Sequence, residues 1–275
     1  MSFVILVVSI AATLAFMLYV IRNRQNQQAA TQTLGLSWLH SLRIMLAKVQ
    51  QHRGLSGAYL TGKEEVLPQL RVLQSAINAE VADIPHAGQW MRDNERWVAI
   101  CEHWSRLEKN FENNTAANNF TQHNRLIENL LCMIDDMAQA HELLALKSKD
   151  GRPLYVAWRD LLLASECVGQ ARALGTTIIS VGVCDTVSKI RLKYLVQKIE
   201  SSTATAWAQI PATAENVDKL QTLLRCIDKE LMSTTQVNIG VTEYFAMATD
   251  AIDSLFNQYD AIISEFKRTS RLRLR

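Results

Sequence analysis

A charge-free apolar run near the N-terminus constrains this chain more than any other feature. No charged residue occurs from Phe3 to Ile21, and Arg22 and Arg24 follow directly. At a rise of about 1.5 Å per residue, a helix over this run is long enough to cross a hydrocarbon core roughly 30 Å thick. The run therefore predicts one transmembrane helix.

The charges that flank this run predict how it sits in the membrane. No lysine or arginine precedes the run, whereas a cleaved signal peptide normally begins with one. We therefore interpret residues 1–24 as an uncleaved anchor in the inner (cytoplasmic) membrane. Because basic residues favour the cytoplasmic side, Arg22 and Arg24 predict that the following body of the protein lies in the cytoplasm.

Residues that break helices are scarce in the body. The 275 residues include only ten glycines and four prolines, and 48% are hydrophobic, which is ample for a packed core. We therefore predict an all-α fold of about eight helices in two packed antiparallel four-helix bundles, preceded by the transmembrane helix. The first predicted helix of the body follows a polar joint at residues 23–32, ends near Leu60 and can be continuous with the membrane segment. The others are predicted over residues 64–84, 89–112, 118–148, 154–183, 186–208, 214–235 and 239–269.

Charge and motif content argue against several functional classes. The 29 basic and 27 acidic residues leave a net charge of +2, which disfavours nucleic acid as the main partner. The five cysteines form no Cys-x-x-Cys motif, and the six histidines have no metal-binding spacing. There is also no glycine-rich phosphate loop or nucleophile elbow. We predict a protein that is not an enzyme and that uses no metal or cofactor.

Large apolar side chains form a stripe in the region predicted as the helix 89–112. Their steps of three and four residues place them on one face. Such a stripe can form an aromatic ligand pocket, but a packed core is the commoner meaning, and we assign these residues to the core. They are Trp97, Ile100, Trp104, Leu107 and Phe111.

A short internal repeat is the most informative feature for function. Residues 51–56 and 170–175 both read Gln-x-Arg-small-Leu-small, with Arg53 and Arg172 at the same place. Each arginine continues an inward stripe at steps of three and four residues, so both are predicted to point into a bundle. The preceding positions are Leu39, Leu42, Leu46 and Val49 before Arg53, and Trp158, Leu161, Ser165 and Val168 before Arg172.

A buried arginine needs an anion or strong acceptors to compensate for its lost hydration. The repeat therefore suggests a shared anion pocket, to which Ser56 and Thr176 can add hydroxyl donors from the same helix faces. The alternative is that each arginine reaches solvent or pairs with a core carboxylate, and the residues alone leave both interpretations open. The carboxylates considered are Glu166, Glu243 and Asp250. His52, beside Arg53, is placed to tune such a site, but we interpret it as a helix-surface residue.

Three segments resemble the nitrate- and nitrite-sensing family of bacterial signalling proteins. Residues 51–60 resemble its opening motif, a long helix with an Arg-Gly-Leu-Ser segment, and the Arg172 segment and residues 242–253 resemble its later helices. The resemblance covers residues 28–268. It implies an all-helical domain of packed four-helix bundles that binds nitrate or nitrite through arginines, here Arg53 and Arg172, and signals occupancy to an output module.

The sequence departs from the family in two places. Gln51 and His52 precede the arginine where members often have a Glu-Arg pair, and we recognise no output domain in the chain. We therefore expect a separate protein partner for output, and keep a homodimer as a possible assembly. The basic tail, residues 269–275, is either a solvated end that suits the helix dipole or a contact with that partner or with anionic lipid. The alternative function is a structural scaffold at the membrane whose arginines are paired internally.

Overall fold

The structure, a computed structural model, describes residues 2–148, 150–233 and 237–273. Within these ranges the regular elements are all helices and no β-strand is formed, which confirms the all-α prediction. Short π-helical turns, Ala157–Leu161 and Ile227–Met232, adjoin two of the helices. The helices are α1 (Ser2–Leu60), α2 (Leu67–Asp83), α3 (Gln89–Arg92), α4 (Glu95–Asn110), α5 (Ala116–Ala140), α6 (Leu162–Val181), α7 (Thr186–Gln209), α8 (Ala214–Cys226) and α9 (Val241–Arg273).

Helix α1 is a single helix of 59 residues that joins the apolar run to the body. Its N-terminal part is long and apolar enough to cross a membrane by length and composition, and none of that stretch is buried against the rest of the chain. From Leu36 onward, residues on more than one face of the helix are buried. The chain leaves the helix through Gly62, whose φ of 99° lies in the left-handed region that favours glycine. The apolar run and the first helix of the body thus form one continuous helix, as the sequence allowed.

Two four-helix bundles form the body, as predicted. The C-terminal half of α1 packs against α2 and α5, and α4 packs against α5 and contacts α2 through a hydrogen bond from Trp104 to Asn78. In the second bundle, α6 packs against α7 and α9, and α8 packs against α9. Helix α1 also contacts α6 and α9, so it is shared between the bundles. The Tyr259 hydroxyl donates a hydrogen bond to the Leu39 carbonyl at 3.2 Å, and Arg43 pairs with Asp260. The aromatic stripe of α4 is buried, which confirms its assignment to the core.

The region predicted as one helix over residues 89–112 is divided in two. Helix α3 ends at Arg92, and α4 begins after Asn94, whose side-chain oxygen accepts a hydrogen bond from the Trp97 main-chain N–H at 3.1 Å. An asparagine that caps an N-terminus in this way satisfies a donor that has no partner within the helix. The cap therefore starts a new helix inside the predicted one.

The prediction of a helix to residue 148 was wrong at its C-terminal end. Helix α5 ends at Ala140, and Glu142 follows with a left-handed φ of 56°. Side chains of α1 hold this turn: Gln28 donates to the Glu142 carboxylate at 2.7 Å, and Gln32 donates to the Glu142 carbonyl at 3.3 Å. The end of the predicted helix 214–235 and the side chains of the basic tail 269–275 lie outside the described residues.

Candidate anion site between two arginine-bearing helices

Arg53 lies where the two bundles meet, and only 3% of its surface is exposed. Its Nη1 donates to Asn124 Oδ1 of α5 at 2.6 Å and to Glu166 Oε1 of α6 at 2.5 Å. The Phe120 ring lies 5.4 Å from the centre of the guanidinium group. The predicted inward position of Arg53 is therefore confirmed, and its side chain bridges a helix of each bundle.

The second terminal nitrogen of Arg53 is a buried donor without an acceptor. Nη2 forms no hydrogen bond within the part of the chain that the structure describes. It faces Gly169 of α6 so closely that a Cβ atom at that position would lie 2.7 Å away. A buried N–H group without a partner costs about 1–3 kcal/mol, and more when it is charged. The fold therefore leaves Nη2 of Arg53, a strong donor, facing α6 at a glycine, where the helix has no side chain.

Of the three carboxylates that the sequence offered as partners (Glu166, Glu243 and Asp250), Glu166 pairs with Arg53. It is 4% exposed and accepts hydrogen bonds from three side chains. Oε1 accepts from Arg53 and, at 2.8 Å, from Gln170, while Oε2 accepts from Gln50 at 2.9 Å. The internal pairing engages Nη1 of Arg53 and leaves Nη2 available, so it does not exclude an anion site.

Arg172 lies on α6, one helical turn after Gly169. Its Nη1 donates to Thr249 Oγ1 of α9 at 2.8 Å, and its guanidinium centre lies 4.6 Å from the Phe245 ring centroid. Burial, followed by the positive charge of Arg53, lowers the Arg172 pKa to about 10. The group stays protonated near neutral pH. The two repeated arginines are thus near enough for the charge of Arg53 to lower the Arg172 pKa.

The two predicted hydroxyl donors have main-chain partners. Ser56 donates to the His52 carbonyl at 2.6 Å and accepts from Asn119 at 2.9 Å, inside the first bundle. Thr176 donates to the Arg172 carbonyl at 2.7 Å. Because both hydroxyl protons are used within the fold, the predicted role of Ser56 and Thr176 in anion binding stays a prediction.

The interpretation of His52 as a surface residue was wrong. The side chain is fully buried, and its Nδ1 lies 2.8 Å from Nε2 of His123 in α5. His52 follows Trp38 and Met45 at intervals of seven residues, and all three are buried. This heptad stripe faces the first bundle, where His52 contacts Trp104 and His123. Leu39 and Arg53, on another face of α1, also contact α9 and α6 of the second bundle. A search for a second apolar face on the helix would have found the heptad stripe.

Comparison with known proteins agrees with the fold. A solved structure, "Structure of the NasR transcription antiterminator", has a TM-score of 0.65 and 17% sequence identity, and the match covers 94% of this chain and 75% of that chain. At this identity the likeness is one of fold. A search of curated proteins found no match.

A family model described as nitrate and nitrite sensing matches residues 45–267, a range that includes Arg53, Arg172 and both bundles. That family is one of sensor domains. Since the match spans most of the chain, this protein belongs to the nitrate- and nitrite-sensing family.

Proposed function

We propose that this protein is a membrane-anchored sensor that binds nitrate or nitrite between α1 and α6. Arg53 and Arg172 are the residues that hold the anion. One observation supports this proposal above the others: Nη2 of Arg53 is buried, lacks an acceptor in the described structure and is directed at Gly169, one helical turn before the second arginine.

The chemistry of the arginines suits such a ligand. Nitrate is a planar monoanion, and the planar guanidinium group can donate parallel charge-assisted hydrogen bonds to two of its oxygens. At about 1.5–3 kcal/mol net for each charged hydrogen bond, two or three such bonds support roughly micromolar affinity after the cost of ordering the site. A lysine offers a point charge and cannot reproduce this fork.

Occupancy of the site is expected to change how the bundles pack. Without an anion, Arg53 and Arg172 repel one another across α1 and α6, and Glu166 is the buried carboxylate that compensates them. A bound anion offsets the repulsion between the two arginines, so it stabilises the arrangement in which the two helices are close. Since α1 belongs to both bundles, the change reaches the whole body.

The long first helix connects the proposed membrane anchor directly to the anion site. Helix α1 runs without a break from the apolar run to Arg53. We propose that this run anchors the protein in the inner membrane with the body in the cytoplasm, and that occupancy is relayed to a separate protein partner.

The direct test is a thermal melt of the full-length protein in detergent with nitrate, nitrite or chloride. A ligand that binds only the folded state raises the midpoint in proportion to the logarithm of its concentration above Kd. We expect nitrate or nitrite, but not chloride, to raise it. We also expect Arg53→Lys and Arg172→Lys to remove this rise while retaining helical content.

Arg159→Lys is the matched control, because Arg159 pairs with Asp135 away from the site. It should keep the anion-dependent rise. If neither anion moves the midpoint of the wild-type protein, the scaffold function with internally paired arginines is the correct one. If both site variants still respond, the anion binds elsewhere.

A further inference from the structure

We propose that Glu166 sets the charge selectivity of the anion site, so that the site accepts monovalent anions and rejects divalent ones. This inference rests on the proposed function and adds to it a residue that distinguishes between ligands. It identifies a negatively charged group, next to the anion donors, as a part of the recognition machinery.

The contacts of Glu166 place a fixed negative charge in the site. The residue is 4% exposed, and its carboxylate oxygens accept from Arg53 at 2.5 Å, Gln170 at 2.8 Å and Gln50 at 2.9 Å. All three neighbours are donors, so the carboxylate is held in place and acts only as an acceptor. Its charge also acts on Arg172, one and a half turns along the same helix.

The charges of the buried site then favour one class of anion. A fixed negative charge beside the anion repels a dianion about twice as strongly as a monoanion, because the Coulomb energy is proportional to the charge of the ligand. Glu166 is already paired with Arg53, so the second charge of a dianion would be buried beside a carboxylate, which is strongly unfavourable. The Asp253 carboxylate of α9 acts on Arg172 more strongly than Glu166 does, so it adds to the negative charge near the second arginine.

Glutamine at position 166 removes the charge and keeps the geometry. Its carbonyl oxygen can still accept from Arg53, and the Gln50 amide can rotate to accept from the new N–H group. Asn124 offers the opposite change, because its Oδ1 already accepts from Arg53 Nη1 at 2.6 Å. Asn124→Asp retains that hydrogen bond with an isosteric side chain and adds a second negative charge.

The test uses perchlorate and sulfate, which are both tetrahedral but carry one and two negative charges. The Kd of each, and that of nitrate, is measured by calorimetry on the full-length protein in detergent. Relative to wild type, Glu166→Gln should bind nitrate and shift the ratio of the sulfate and perchlorate Kd values about tenfold or more in favour of sulfate. Asn124→Asp should shift the same ratio against sulfate.

Glu80→Gln is the control, since Glu80 pairs with Lys48 at 2.8 Å within the first bundle. It should leave the ratio unchanged. A ratio that stays at the wild-type value in both site variants would show that the charge of Glu166 does not set selectivity. A failure of Glu166→Gln to bind either tetrahedral anion would show that Glu166 is needed to form the site and does not merely select its ligand, and either result would overturn the proposal. Absence of nitrate binding by the wild-type protein is a different result, and it would overturn the proposed function itself.

Discussion

His52 Nδ1 lies 2.8 Å from His123 Nε2, and this contact joins α1 to α5 in the core of the first bundle. His123 Nδ1 lies 2.7 Å from the Asn119 carbonyl, which only accepts, so that nitrogen carries a proton. In the neutral ring His123 Nε2 then accepts from His52, and His52 Nε2 accepts from Gln74 at 3.2 Å. The chain of hydrogen bonds is complete only when both imidazoles are neutral.

This pair predicts that the fold weakens as pH falls below neutrality. Burial, followed by the positive charge of Arg71, lowers the His52 pKa to about 4, and burial followed by His52 lowers the His123 pKa. The unfolded chain therefore binds more protons than the folded chain below the ordinary histidine pKa near 6.5, so stability rises with pH. Between pH 7 and 5, His52 alone should account for a loss of about 2 kcal/mol in the free energy of unfolding.

Denaturant unfolding at pH 7 and pH 5 measures this dependence. The double variant His52→Leu and His123→Leu has no imidazole to protonate at these positions, so its stability should change much less between the two pH values. His86→Gln is the control, because His86 is exposed, and it should retain the wild-type dependence. Equal pH dependence in the double variant and the wild type would show that other groups cause the effect.

The sequence predicted Arg53 well because its position depends on one helix. Steps of three and four residues from Leu46 and Val49 place it on the inward stripe, and this local pattern survives in the structure. His52 was misread because α1 is shared by two bundles and is buried on two faces. Amphipathic patterns in sequence assume a single buried face.

Other features depend on contacts between helices that sequence spacing does not report. The turn at Glu142 is held by Gln28, more than one hundred residues away, so the predicted helix continued past its true end. Asn124 and Gly169 likewise gain their roles only when α5 and α6 pack beside Arg53. Local preferences placed the helices, while the partners of Arg53 follow from their assembly.

Gly169→Ala should weaken anion binding with little loss of the fold. The added methyl group would lie 2.7 Å from Arg53 Nη2, so the guanidinium group has to move away from the position in which we propose that it binds the anion. We expect the nitrate-dependent rise in melting temperature to fall sharply. The measurement is the same thermal melt, at several nitrate concentrations.

Gly54→Ala is the matched control for that experiment. Gly54 is adjacent to Arg53 in α1, and no heavy atom lies within 4 Å of the position of an added Cβ. Alanine in a helix is favoured over glycine by roughly 0.5–1 kcal/mol, so this variant should be slightly more stable and should keep its nitrate response. A nitrate response that survives in Gly169→Ala as well would show that Nη2 of Arg53 does not bind the anion.

Gly175→Ala should destabilise the second bundle. A Cβ atom at this position would overlap the Tyr244 ring, whose hydroxyl donates to the Ala171 carbonyl at 2.8 Å. Overpacking of this kind typically costs about 1–3 kcal/mol. Denaturant unfolding should show a loss of this size, and a much smaller one when Tyr244→Leu has already removed the ring. Equal losses in the two backgrounds would contradict the proposed contact.

The orientation of the body can be tested with its own cysteines. Cys132 of α5 is exposed, whereas burial raises the pKa of the half-buried Cys101 thiol to about 11. Because the thiolate is the reactive form, Cys132 is the better reporter and Cys101 should react slowly even after lysis. If Arg22 and Arg24 keep the body in the cytoplasm, a maleimide that cannot cross membranes should label Cys132 in lysed cells but not in intact spheroplasts.

A Cys132→Ser variant controls for labelling at other positions, and its signal after lysis should be small. Strong labelling of Cys132 in intact spheroplasts would place the two bundles on the outer face of the membrane, where the site would sample external nitrate.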